Sequence, residues 1–242
     1  MEISNYFLFI ALPYIALAIF IVGTIYRYTA HGFKFSSLSS QFLEGKNLFW
    51  GSVPFHWGIM FLFFGHLIAF LFPKSVLIMN GHPLRLFIIE VSAFMFGITV
   101  LIGLFNLFTR RIGNPRIRVV TNKMDITIEL LLLLQVITGL WIAYNFRWGS
   151  SWFAAVLTPY LRSIFLLDPD IAAVSTMPWT VKLHIVGAYI IILLIPFSRL
   201  VHFLVAPINY FWRPYQQVYW NWDKRKVRDP DTEWTTHQPK NN

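Results

Sequence analysis

From Asn47 to Pro73 the chain carries no formal charge, and between Glu2 and Arg27 it carries none either. An α-helix crosses a bilayer's hydrocarbon core with about 20 apolar residues. Within that core only helices and closed barrels satisfy their own backbone groups. Three further runs are nearly as apolar: Leu86 to Phe108 holds only Glu90, Met124 to Phe146 only Asp125 and Glu129, and Pro178 to Pro214 only Lys182, Arg199 and Arg213. With only 13% of the residues charged, against about a quarter in soluble domains, the fold class is all-α integral membrane protein. Its architecture is a five-transmembrane-helix bundle, with spans at about Ile3–Tyr28, Asn47–Phe72, Leu86–Phe108, Met124–Phe146 and Pro178–Pro214.

The first run has no basic leader and no small-residue cleavage site, so it reads as a span rather than a signal peptide. The chain has no cysteine. This excludes disulfides, cysteine-ligated zinc, thiolate catalysis and any iron–sulfur cluster held by this chain alone. The net charge of +9 crowds beside the apolar runs, where it sets topology and meets anionic headgroups rather than nucleic acid. Arg27, Lys34 and Lys46 follow the first span, Arg110, Arg111, Arg116, Arg118 and Lys123 follow the third, and Lys224, Arg225, Lys226 and Arg228 follow the fifth. The opposite loops are poorer in basic residues. The positive-inside rule therefore puts the N-terminus outside and the C-terminus in the cytoplasm. Residues 1–219 form one transmembrane domain, and residues 220–242 a polar cytoplasmic tail. The connection Arg147–Met177 carries Trp148 and Trp152, suited to a membrane interface.

Four of the seven histidines lie inside spans, two on the second (His56, His66) and two on the fifth (His184, His202). Ionisable residues at membrane depth are costly and usually functional. His184 and His202 are eighteen positions apart, which on one continuous helix is five whole turns and about 27 Å of rise. His56 and His66 are ten apart, about 15 Å; tilt and a kink at Pro196 must absorb the mismatch. The two spans run in opposite directions, so His56 shares the inner level with His202 and His66 the outer level with His184. Each pair can clamp one flat macrocycle, the bis-histidine ligation of a b-type haem, with the four imidazoles as axial ligands to iron. Both axial positions are then filled by protein, which predicts electron transfer rather than substrate chemistry at the metal.

Gly58, Gly65 and Gly187 are candidates for letting a porphyrin approach the backbone. Arg111 and Arg199 on the inner side, and Arg85 and Lys182 on the outer, are candidate contacts for haem propionates. Glu90, Asp125 and Glu129 lie near span ends, where solvated caps are the expected role. There is no serine-nucleophile motif, phosphate loop or pair of catalytic carboxylates.

Three segments together carry a family likeness: NLFWGSVPFHWGIMFLFFGH (Asn47 to His66), RRIGNPRIRVVT (Arg110 to Thr121) and LHIVGAYIIILLIPFSRLVHFLVAPINY (Leu183 to Tyr210). Over roughly Tyr6 to Val218 the chain resembles the gamma subunit of respiratory nitrate reductase, a dihaem cytochrome b that anchors the complex in the cytoplasmic membrane. The resemblance implies that His56 and His202 hold the proximal haem b, and His66 and His184 the distal one. It implies quinol oxidation near the outer face, beside the distal haem. Electrons then pass to an iron–sulfur beta subunit and a molybdenum-cofactor alpha subunit, which carries the nitrate site. Candidate quinol contacts are Gly65, His66 and Arg85. Where the family uses a lysine early in the third span, this chain reads HPLRLFIIE, which offers Arg85 and His82. The tail from Trp220 runs longer than the family usually does and is expected to dock on the beta subunit. Two other readings stay open on the sequence: the same subunit type in a nitrite oxidoreductase or a related oxyanion or sulfur enzyme, with electrons leaving toward quinone or cytochrome c, and an anchor without cofactor.

Overall fold

The computed structural model describes residues 2–30, 40 and 43–205. The expected tail at 220–242 and the last part of the fifth run lie outside the described residues. Among the described residues the structure is helical and contains no strand. Five helices are long and apolar enough to cross a membrane. They are α1 (Ile3–Ala30), α2 (Lys46–Leu71), α3 (Pro83–Gly113), α4 (Lys123–Asn145) and the stretch Trp179–Phe197, whose α-helical part, Trp179–Leu194, is α5. Two of the starts carry a clear local signal. Pro83 opens α3 at a position whose missing N–H costs nothing. Asn122 opens α4 with a capping box: its side chain accepts from the Asp125 amide at 2.8 Å, and Asp125 Oδ2 accepts from the Asn122 amide at 3.1 Å.

The helices pack in the order α2, α3, α4, α5, α1. With little hydrophobic force between helices in lipid, close packing relies on small residues. A Cβ on Gly58 of α2 would stand 2.5 Å from Val100 Cγ2 of α3. One on Gly103 of α3 would stand 2.6 Å from the Phe55 amide nitrogen. Gly58, a sequence candidate for a porphyrin face, is therefore taken up by this helix contact. The histidine-bearing helices α2 and α5 do not make a packed pair of that kind. They stand across from each other, separated in the packing order by α3 and α4.

The fifth run is not one continuous helix, which corrects the five-turn expectation. After Leu194 come a single 3-10 turn at Ile195–Phe197, an extended Ser198 (ψ 176°) and a second 3-10 segment at Arg199–Val205. Pro196 lacks the N–H that would continue the ladder, and its ring crowds the preceding turn. The carbonyls freed there are bound from another helix: Arg27 Nη1 of α1 donates to Pro196 O at 2.6 Å and to Ser198 O at 3.0 Å. This is how a broken helix survives at membrane depth, with a neighbour satisfying the exposed backbone groups.

The connection between α4 and α5 also does more than line an interface. It forms four short helical pieces, Gly149–Trp152, Phe153–Leu157, Thr158–Phe165 and Ala172–Ser175. Leu157, Tyr160 and Ile164 join Phe9, Val181, Ile185 and Tyr189 in a buried cluster. The Tyr160 hydroxyl donates to Phe9 O at 2.9 Å, so the connection is pinned to the first turns of α1.

Candidate functional site

Two levels of imidazoles lie between α2 and the α5 chain. At one, the rings of His56 and His202 have centroids 6.1 Å apart and planes at 70°. Two imidazoles sharing one first-row metal at about 2 Å from each ring nitrogen have centroids about 6 Å apart. At the other level the His66 ring meets Phe153 edge-on at 5.3 Å, and His184 lies against Thr138 and Gly139 of α4.

Each of the four Nδ1 atoms has a partner: a backbone carbonyl at three positions and a threonine hydroxyl at the fourth. His56 Nδ1 donates to Ser52 O at 2.7 Å, His66 Nδ1 to Leu62 O at 2.8 Å, and His202 Nδ1 to Arg199 O at 2.7 Å. His184 Nδ1 lies 3.0 Å from Thr138 Oγ1. The Thr138 hydroxyl also reaches Leu134 O and Gln135 O at 2.9 and 3.0 Å. At His56, His66 and His202 a carbonyl acceptor at Nδ1 fixes the tautomer and leaves the Nε2 lone pair to bind a metal. The donor set and the 6.1 Å spacing fit an iron macrocycle clamped between paired imidazoles.

Helix α4 contributes to the site residues that the sequence reading missed. A Cβ on Gly139 would stand 3.0 Å from His184 Cε1, so only glycine leaves the ring its place. Gln135 donates to His184 O at 3.0 Å, and its Oε1 occupies the space a Cβ on Gly187 would need. Gly187, like Gly58, therefore serves packing. Gly65 has open space where its Cβ would be and borders His66. The Gln-x-x-Thr-Gly spacing of Gln135, Thr138 and Gly139 was the available signal: three small or polar residues on one face of an otherwise aliphatic helix.

The carboxylates near span ends are not solvated caps. Asp125 is 3% and Glu129 6% exposed. Arg111 lies 2.9 Å from Glu129 Oε1 and 3.4 Å from Asp125 Oδ2, and Arg199 Nε lies 2.8 Å from Asp125 Oδ1. The two arginines expected to meet propionates are thus held in an ion-pair cluster joining α3, α4 and the 3-10 segment that carries His202. Arginines distant in sequence supply these pairings, which is why composition near the span ends misled. Arg110, its neighbour in sequence, turns the other way and binds Glu44 at 2.6 Å. At the His66 end, Glu90 accepts from the Ser150 amide at 2.8 Å and from the Ser150 hydroxyl at 2.6 Å. Lys182 donates to Ser175 O at 2.7 Å. Arg85 is exposed at the start of α3. A cavity of about 310 Å³ between α3 and α4 is lined by Phe87, Glu90, Phe94, Tyr144, Arg147 and Trp148, among others.

The family model described as nitrate reductase gamma subunit matches residues 5–221. The chain is 35% identical over 207 residues to the nitrate reductase gamma chain of Bacillus subtilis (strain 168), covering 84% of this chain and 93% of that one. It is 31% identical over 225 residues to the respiratory nitrate reductase 1 gamma chain of Escherichia coli (strain K12), covering 90% of this chain and 98% of that one. The chain belongs to the nitrate reductase gamma subunit family.

Proposed function

We propose that this chain is the quinol-oxidising membrane subunit of a respiratory nitrate reductase complex, seated in the cytoplasmic membrane with its N-terminus outside. His56 and His202 hold a proximal b-type haem near the inner face, and His66 and His184 a distal one near the outer face. Bound there, the two haems supply one-electron transfer across the membrane. The observation that carries the reading is the 6.1 Å spacing of His56 and His202, with Nδ1 engaged on all four histidines. The excess of basic residues after the first and third spans supports the orientation.

Quinol binds beside His66, where Gly65 leaves open space and Arg85 stands at the membrane surface. Its oxidation yields two protons, released outside, and two electrons, which leave inward to an iron–sulfur beta subunit and a molybdenum-cofactor alpha subunit that reduces nitrate. The polar cytoplasmic tail at 220–242 docks on the beta subunit. The family favours this direction over an outward current.

His66→Ala and His184→Ala test the assignment in the assembled complex. Each is expected to remove one haem and abolish quinol-driven nitrate reduction, while an artificial donor feeding the catalytic subunits directly still works. Quinol-driven turnover surviving either change would overturn the assignment.

A further inference from the structure

The segment bearing His202 has no continuous helix to orient it. Between Leu194 and His202 lie a proline and an extended serine, so the hydrogen-bond ladder that fixes His184 along α5 does not reach His202. Another part of the molecule must set the angle of its ring. The chain of contacts leads to Asp125. His202 Nδ1 donates to Arg199 O at 2.7 Å. The Arg199 side chain donates to Asp125 Oδ1 at 2.8 Å and to Val120 O at 2.9 Å. Asp125 is itself immobile: its side chain is 2% exposed, its Oδ2 accepts from the Asn122 amide at 3.1 Å, and Arg111 lies 3.4 Å from the same oxygen. Capping α4 requires only one oxygen; the other faces Arg199.

We propose that Asp125 is a positioning residue for the His202 imidazole, acting through Arg199 to set the plane of the proximal ligand against that of His56. The proposal rests on the haem-ligand reading above. Asp125 does not touch the ring. It anchors the 3-10 segment to the rigid first turn of α4 and thereby keeps the two imidazole planes at the observed 70°. Crossed planes give a low-spin ferric centre large g anisotropy, so the angle can be read by electron paramagnetic resonance. The orientation and hydrogen bonding of an axial ligand also tune the iron's potential.

The test uses the membrane-bound complex, comparing the parent with Asp125→Ala, Asp125→Glu and Arg199→Gln by low-temperature resonance spectra and potentiometric titration of haem absorption. Asp125→Ala is expected to shift the largest g value and the midpoint potential of one haem, leaving the other haem's signal unchanged as an internal control for folding. Asp125→Glu, which restores the charge and the acceptor, is expected to recover the g value at least partly. If Asp125→Ala shifts the potential but not the g value, the aspartate acts only as a nearby charge and the positioning role is overturned; unchanged g and potential overturn it equally. If Asp125→Ala does not accumulate in membranes, Arg199→Gln, which leaves the cap of α4 intact, is read by the same criteria. His202→Ala separates the two ideas: retention of both low-spin signals in that variant overturns the haem-ligand reading itself.

Discussion

The two imidazole levels present the same ligand pair with Nδ1 engaged, yet they are held by different means. His184 sits on an unbroken stretch of α5. Its ring is located by packing: Thr138 Oγ1 at 3.0 Å, Gly139 close to the ring, and Gln135 on its own carbonyl. His202 sits beyond a break and is located by charged side chains that reach across the bundle, Arg27 onto the break and Arg199 onto Asp125. The lesson concerns backbone regularity. On an unbroken helix, regular backbone and close packing suffice to aim a ligand. Where the helix is opened by proline, one cation from another helix binds the exposed carbonyls and a second ties the segment beyond the break to a buried carboxylate.

The largest way to break the contrast is at the packed level. Gly139→Leu drives a branched side chain against the His184 ring, since even a Cβ there lies 3.0 Å from Cε1. The ring has to swing away, and one haem is expected to be lost from the purified complex while the other remains in its absorption spectrum. Overpacking of this kind costs about 1–3 kcal/mol in addition, visible as a lower thermal midpoint. Loss of both haems together would show that the two levels are not separately built.

Next is Arg27→Ala. It removes the donor to Pro196 O and Ser198 O, and an unsatisfied buried polar group costs about 1–3 kcal/mol. The expected result is a lowered thermal midpoint with weakened retention of the haem at His56 and His202 only. An equal loss at the His184 level would end the claim that the break is capped locally. A smaller effect is expected for Thr138→Val, nearly the same shape without the hydroxyl. Losing the partner of a ligating histidine typically costs about 10-fold or more in affinity or activity, so the haem at His66 and His184 should dissociate more readily. An unchanged dissociation rate would mean that packing alone orients His184.

Much of this was legible in the sequence, for identifiable reasons. The run from Asn47 to Pro73 can be little else than a span, and the opposed directions of two spans determine which histidines share a level. The ends of the first, second and fourth spans were read to within two residues, whereas the third helix runs on to Gly113 and the fifth stops at Leu194 rather than Pro214, because caps and Pro196, rather than hydropathy, decide them. What stayed hidden depends on partners far away in the chain. Pro196 was visible as a kink, but neither the extended Ser198 nor its capture by Arg27 can be inferred without knowing that α1 packs there. Asp125 and Glu129 look like ordinary helix-start acids until Arg111 and Arg199 are placed beside them. Glycines could not be sorted by sequence into packing and open ones; Gly58 and Gly187 prove to serve packing, whereas Gly65 faces open space. The short helices after Arg147 have too few turns for a periodic pattern, so the buried place of Tyr160 was not read.

The smallest expected effect sharpens the contrast from the surface. Glu44 precedes α2 and accepts from the Asn47 amide at 2.8 Å while Arg110 Nε donates to its other oxygen at 2.6 Å. The Asn47 amide, and then Arg110, hold its carboxyl below the ordinary value of 4.5. A carboxyl lowered on folding contributes stability that is fully present above its unfolded value and fades as pH falls through the lower folded one. The parent should therefore be more stable than Glu44→Gln by a constant margin from neutrality down to about 4.5, and the margin should close below that. Because Glu44 secures the start of the helix that bears His56, acid loss of this clamp should loosen the His56 level before the His66 level, seen as earlier acid release of one haem. Simultaneous release in the parent and in Glu44→Gln alike would show that the start of α2 contributes nothing to the charged level.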